Sequence, residues 1–382
     1  MVLITFWSCQ PVNPEALPPH ILAIDSVVVI SGSLSETGSI QLVKELAFKD
    51  SLLLDQITAL EVDTEDNLYI AGESWNRRQI HIYNNEGFYK DSLGSYGIDS
   101  GQFLEISRLQ LRNDNLYVFD DQLNRITTFD IESGETIDTL GLHPAGNHLP
   151  DNWSGFHAAA VTIRDDGSYL MAFQRDRDPA DEPEGELRYY IVDESGKVLS
   201  DVILIQPDIK YLVGDYAGRP APFTLPLPEK PLLQISENGR VYSAYTNKFL
   251  INVLNAGGEN LHSYYNRGER YKLDPHEVIH PRFSHNDQLR RVRESAEYPE
   301  KWPTLYSLLT DDENRIWIST ITDNRDMLKW WIIDDQTGTL AATFSLPFDQ
   351  PIYHVKNGAV YTVEKKDSGF KKVVRYKIQM PG

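Results

Sequence analysis

Five arginines are the first residues in this chain that could do chemistry. Arg77, Arg125, Arg175, Arg177 and Arg325 sit in segments joining two strand-like runs, with Arg78 beside the first and Lys248 in a further such segment. A guanidinium grips a carboxylate or sulfate through two parallel charge-assisted hydrogen bonds. Trp75, Trp153, Tyr211 and Trp302 belong to the same set of loops and could stack on sugar rings. The competing role for both groups is structural, as struts between repeated units and as core.

Histidines offer less. His276, His280 and His285 cluster beside Glu277, and the 276/280 spacing would suit two metal ligands on a helix. Pro275 and Pro281 interrupt that segment, so neither a regular helix nor a metal site is expected there. His143, His148 and His157 read as loop and rim residues. Channel-centred hydrolysis would need converging carboxylate and amide ligands, for which Glu73, Asp121 and Asn324 are the candidates. No G-x-S-x-G elbow, phosphate-binding glycine loop or dinucleotide fingerprint occurs. No catalytic residue and no cofactor is assigned, with calcium and zinc left open.

Composition narrows the setting. The 382 residues carry 36 Lys+Arg against 56 Asp+Glu, a formal charge of −20. A field of that sign repels phosphate backbones, which argues against nucleic acid as a partner. The lone cysteine, Cys9, excludes an intrachain disulfide and a cysteine-based zinc site. No run approaches the ~20 apolar residues needed to span a bilayer.

The elements that must position these side chains emerge from a repeat. A tight-turn pair followed three or four residues on by an aromatic occurs six times: Asp66-Asn67, Asp114-Asn115, Asp166-Gly167, Asn238-Gly239, Glu313-Asn314 and Asn357-Gly358. Such pairs favour two-residue hairpins because the central positions need positive φ. A second turn family, after the third strand of each unit, has five copies, the first being Asn84 to Gly87 and the last Asp334 to Gly338. The final unit runs out at Tyr376-Lys377-Ile378-Gln379 without a fourth strand. At the other end, Lys49-Asp50-Ser51-Leu52 repeats the words Lys90-Asp91-Ser92-Leu93 that end the first unit's fourth strand. Residues 41–52 are therefore a fourth strand with no unit in front of them. The expected fold is all-β: a six-bladed β-propeller of four-stranded antiparallel blades, its ring closed by the N-terminal strand pairing with the last blade.

Blades are expected near 53–93, 104–141, 157–206, 231–266, 304–347 and 351–379 plus 41–52. They form one domain over 24–382 behind a short signal-like segment and tether over 1–23. Gly94 to Phe103, Leu116 to Asp120 and Asn124 to Asp130 together resemble an NHL-type repeat. Trp302 to Tyr306 leading into Asn314 to Ile318 resembles a segment of bacterial six-bladed propeller lipoproteins. That resemblance implies the fold and adds little chemistry. Cys9, after the apolar run Val2 to Ser8, resembles the lipidated cysteine at the end of a bacterial lipoprotein signal, with residues 10–20 as the tether. The other reading makes it a residue of a ragged terminus.

The long connections, 142–156, 207–230 and 267–303 between blades and 174–187 inside blade three, all belong to one face of such a ring. A helix starting near Ser284 and Asp287 is expected in the third, with Leu289, Val292 and Ala296 on its packed stripe and Arg290, Arg291 and Arg293 outside. Long loops on a rigid scaffold are where binding usually sits. The sequence thus reads as an exported, lipid-anchored, monomeric binding propeller of the bacterial periplasm or cell surface. Its long-loop face would hold a small anionic or carbohydrate ligand, a peptide or a partner protein through Arg77, Arg125, Trp153, Arg175, Arg177, Tyr211, Trp302 and Arg325. The alternative is a lactonase-like propeller hydrolase or lyase.

Overall fold

The structure is a computed structural model that describes residues 17–30, 40–48, 56–73, 78–142, 155–279, 287–365 and 371–379. Six four-stranded units stand around an axis. Their first strands are Gln56–Val62, Ile106–Arg112, Phe156–Ile163, Pro231–Ile235, Leu305–Thr310 and Ile352–Lys356. In each blade the next strands follow in order outward, so the first strand is innermost.

The recurring turn pairs connect first to second strands in all six blades. Asp66, Asp114, Asn314 and Asn357 adopt φ of 62°, 61°, 61° and 52°, and Gly167 and Gly239 adopt 81° and 76°. Two blades show why an aromatic follows at fixed distance. In blade five, Asp311 accepts the Glu313 and Arg315 backbone N–H groups at 3.1 and 2.8 Å, while the Trp317 indole N–H donates to its other oxygen at 2.7 Å. Asp63 plays the same part for Glu65, Asn67 and, at 3.4 Å, Tyr69.

Closure follows the sequence expectation. The sixth sheet has the order Gln41–Ala47, Lys371–Gln379, Ala359–Lys365, Ile352–Lys356 from rim to axis. Its N-terminal strand pairs antiparallel with the last strand, Gln41 opposite Gln379 and Ala47 opposite Val374. One apolar layer fills each gap between neighbouring blades. Examples are Ile70, Tyr83 and Tyr361 between blades one and six, and Ile251, Ile318 and Trp331 between four and five. Each such fully buried side chain contributes about 1.5–3 kcal/mol.

Blade four departs from the four-stranded plan. Val27–Val29 adds a fifth strand, parallel to Asn260–Tyr265 and covering its edge. Leu17 and Ile21, in the stretch assigned to the tether, pack with Val27, Leu250 and Tyr265. Three apolar residues had no repeat to declare them a strand.

The long connections also take form. Leu212–Tyr216 and Arg219–Phe223 make a hairpin, and the helix Asp287–Glu294 lies across it. Gly214 is required at that crossing, because a Cβ there would run into the Val292 carbonyl oxygen. The helix differs from expectation at Arg293, which is buried: its guanidinium stacks 5.7 Å from the Phe223 ring and donates to the Val278 carbonyl at 3.1 Å. Pro275–Ile279 is a short helix where none was expected. Pro275 opens it, and a first helical position has no N–H partner to lose.

Candidate functional site

The face expected to bind proves heavily committed to its own scaffold. Arg125 donates to the carbonyls of Ile98, Asp99 and Gln102 at 2.8, 2.7 and 2.5 Å, pinning the loop that enters blade two. Arg177 is buried against Asp208 at 2.6 Å, donates to the Glu182 carbonyl and lies 5.5 Å over the Tyr211 ring. Arg325 donates to the Thr322 and Lys272 carbonyls, pairs with Glu277 at 3.3 Å and stacks on Tyr271 and Trp302. Trp302 is 2% exposed, within an apolar cluster of Leu225, Leu227, Leu273, Val278 and Ile321.

Arg175 alone of the expected set remains open among the described residues, 59% exposed beside Glu182. With Phe156, Gln174 and Arg188 it borders a hollow of about 330 Å3. Arg77, Trp153, Cys9, Trp75, His280 and His285 lie outside the described residues. His276 is exposed. Asp121 accepts from Ser107 at 2.7 Å and Asn324 from the Asp326 N–H at 3.0 Å, each engaged near its own loop. Among the described residues no three His, Cys, Asp or Glu side chains gather as metal ligands.

The charged interior lies elsewhere. A cavity of about 260 Å3 occupies the axis and touches first-strand residues of all six blades. First strands run from the long-loop face to the tight-turn face. The cavity reaches Arg112, Glu237, Asp312 and Lys356, at or just past the ends of those strands, so it extends to the tight-turn mouth. Alternation in Ile106–Arg112 puts Arg108, Gln110 and Arg112 on one side of a pleated strand. Gln110 locks that side to blade three, exchanging two 2.9 Å hydrogen bonds with the Ile163 backbone. Arg108 donates to the Val161 carbonyl at 2.8 Å and to Thr162 Oγ1 at 3.2 Å. Arg112 donates to the Ile235 carbonyl at 3.3 Å and stands 3.6 Å from Asp165, yet its Nε–H has no hydrogen-bond partner. Thr58 Oγ1 and Asp312 Oδ1, also lining the cavity, are likewise buried without partners.

Glu61 and His354 face each other from blades one and six at 3.8 Å. Their side chains keep 16% and 22% exposure, so the cavity reaches them although protein atoms exclude most water. Burial raises the Glu61 carboxyl to about 7, against the pull of Arg108, Lys356, Arg112 and the Leu111 N–H. Burial, Lys356 and Arg112 depress His354 to about 3, leaving it neutral at physiological pH. Lys356 pairs 3.7 Å from the rim residue Glu237. Arg108 has no carboxylate within 4 Å among the described residues, so its charge is enclosed without a close counter-ion.

These channel residues were not singled out by sequence reasoning. The signal was present: three long polar side chains alternating on one strand that opens a blade. It acquires meaning only once the first strand is known to be the innermost.

A family model described as DUF5128, 6-bladed beta-propeller, matches residues 21–203. The chain is a six-bladed β-propeller. It is similar to a Bacteroides fragilis protein described as exported, at 12% identity over 94% of this chain and 100% of that one, with a TM-score of 0.54. A Bacteroides vulgatus protein of the duf4221 family aligns at 13% identity over 91% of this chain and 100% of that one, also at 0.54. Virginiamycin B lyase from Staphylococcus aureus aligns at 10% identity over 88% and 99%, with a TM-score of 0.43 that carries no inference about chemistry. No curated protein matches the chain. Among the described residues no helix is long and apolar enough to cross a membrane.

Proposed function

We propose that this chain is an extracytoplasmic binding propeller, held at a membrane by lipid on Cys9, whose small polar ligand occupies the central cavity. The observation that carries the reading is Arg108, an enclosed cation with no carboxylate within 4 Å among the described residues, on a strand that Gln110 holds rigid. A cavity of about 260 Å3 holds roughly eight waters' worth of liquid volume, which suits a small molecule rather than a peptide. Export draws support from the Cys9 context and from the description of the Bacteroides fragilis neighbour.

In this reading the long-loop face is chiefly a cap, and Arg175, the exposed member of the expected set, is available to a partner protein. The protein acts as a monomer, and its only membrane contact is the anchor. A second reading, a hydrolase or lyase working in the same cavity, is favoured by one observation: Glu61 titrates near neutrality, where a general acid or base is effective.

Two experiments test the proposal. Expressed in a bacterial host, the protein should partition with membranes and Cys9→Ala should release it; release of neither or both forms contradicts the anchor. Small-molecule stabilisation of the purified propeller should be lost in Arg112→Met and kept in Arg175→Ala. The opposite pattern returns the site to the long-loop face. Consumption of a bound compound, abolished by Glu61→Gln, would decide for the enzyme.

A further inference from the structure

We infer that the channel is an anion site for a small carboxylate seated between Arg108 and Arg112, and that Glu61 is a built-in competitor for the same position. The inference deepens the reading of the channel as the ligand site and rests on it.

Three features point to an anion. Arg108 is enclosed and lacks a carboxylate within 4 Å among the described residues. Arg112, two pleats along the same side of the strand, lines the same cavity, and its Nε–H has no hydrogen-bond partner, standing 3.6 Å from the half-exposed Asp165 carboxylate. Of the acids further along the channel, Asp311 and Glu237 are otherwise engaged, while one Asp312 oxygen stays unpartnered. Asp311 is bound by Arg315 and Trp317, each at 2.7 Å, and Glu237 pairs with Lys356 near the rim. Asp312 accepts the Asn357 N–H at 2.9 Å through one oxygen. A ligand carboxylate would bring a counter-charge to Arg108 and an acceptor to the Arg112 Nε–H, in an enclosed place where charge-assisted hydrogen bonds are strong.

Glu61 decides when that place is free. The groups facing it are Arg108 and Arg112 from blade two and His354 and Lys356 from blade six, with Asp312 and Glu237 across the channel. Blade three contributes the uncharged Thr162 to the lining. His354 is neutral over the physiological range and does not compensate a second negative charge. Protonated, Glu61 leaves the two guanidiniums to the ligand and can donate its own O–H to a ligand oxygen. Ionised, it offsets their charge itself and repels a second carboxylate. Binding above neutral pH therefore takes up one proton from solvent, which ends on the Glu61 carboxyl.

The test is calorimetry of the whole protein with succinate, and with acetate as the smaller probe, in carboxylate-free buffer at pH 6.0 and 8.5. With Glu61 titrating near 7, succinate affinity should fall up to roughly 30-fold between those values, with proton uptake at the higher pH. Glu61→Gln should keep the pH 6.0 affinity at both, and Arg112→Met should abolish binding. Glu61→Gln preserves side-chain volume, so the pH comparison stands even if an arginine variant does not fold. Absence of binding by both carboxylates at pH 6.0 overturns the inference, as does an affinity independent of pH in the unmodified protein. Binding of erythritol or putrescine that depends on Arg112, with none by carboxylates, overturns the anion site while leaving the channel as the ligand site. Binding of any probe unaffected by Arg112→Met sinks both.

Discussion

Two buried carboxyls in this molecule have opposite fates. Asp335, in a turn of blade five, is 1% exposed and sits where blades four and five meet. Burial alone would raise it. The His262 ring, the hydroxyls of Tyr242 and Tyr264, each at 2.7 Å, and the Arg240 guanidinium together hold it down to about 2. Glu61, in the channel, has His354 at 3.8 Å and the Leu111 N–H as a donor, and burial outweighs these and the nearby cations, so it titrates near 7. A carboxylate surrounded by donors is a joint between blades. A carboxyl left short of donors, facing a cavity, is free to change its charge. The same contrast divides the arginines: Arg177 and Arg325 are paired with carboxylates, whereas Arg108 has none within 4 Å among the described residues.

The largest effect should come from breaking the satisfied side of this comparison. Asp335→Ala removes the shared acceptor of a part-exposed guanidinium, an imidazole and two buried tyrosine hydroxyls, and should cost about 3–5 kcal/mol in denaturant unfolding. Its linkage has a definite sign. The folded value lies below the unfolded one, so the stability due to ionised Asp335 is present above about pH 4 and is lost as pH falls toward 2. Stability of the unmodified protein that did not decline over that acid range would show that the joint is weaker than its geometry.

Arg177→Ala should follow, at about 2–4 kcal/mol, because it leaves the largely buried Asp208 charge with the Gln174 amide in place of a cation. A loss below ~1 kcal/mol would return Arg177 to the pool of free binding residues. Glu61→Gln should act in the opposite direction. Here the folded value is raised, so the group's contribution is intact below about pH 4.5 and is lost as pH rises through 7. The variant should match the unmodified protein at pH 4 and be more stable by about 1–3 kcal/mol at pH 8. The smallest effect belongs to Arg175→Ala, an exposed pair with Glu182 whose removal should move stability by less than ~1 kcal/mol.

How far the sequence carries depends on whether a feature is local. The turn pairs declare themselves in four residues, because Asp66, Asn314 and the like are tolerated where φ is positive, and counting them predicts both the blades and the orphan strand Gln41–Ala47. The fifth strand Val27–Val29 is too short to announce itself, and its partner lies more than 200 residues away. The arginines show the same limit. Arg177 reads as a polar loop residue until Asp208, 31 positions on, closes over it. Arg108, Gln110 and Arg112 read as ordinary alternation until the ring brings six first strands to one axis. Long loops marked a face that the fold largely spends on packing, through Trp302, Arg293 and Gly214.

The central claim is that Glu61 keeps a proton near neutrality while Asp335 does not. Carbon-13 carboxyl shifts of selectively labelled protein, titrated from pH 2 to pH 9 with Glu61→Gln and Asp335→Asn as assignment controls, measure both groups in one experiment. The account predicts a Glu61 midpoint near 7 and an Asp335 midpoint near 2. A Glu61 midpoint at the ordinary glutamate value of about 4.3 would contradict it.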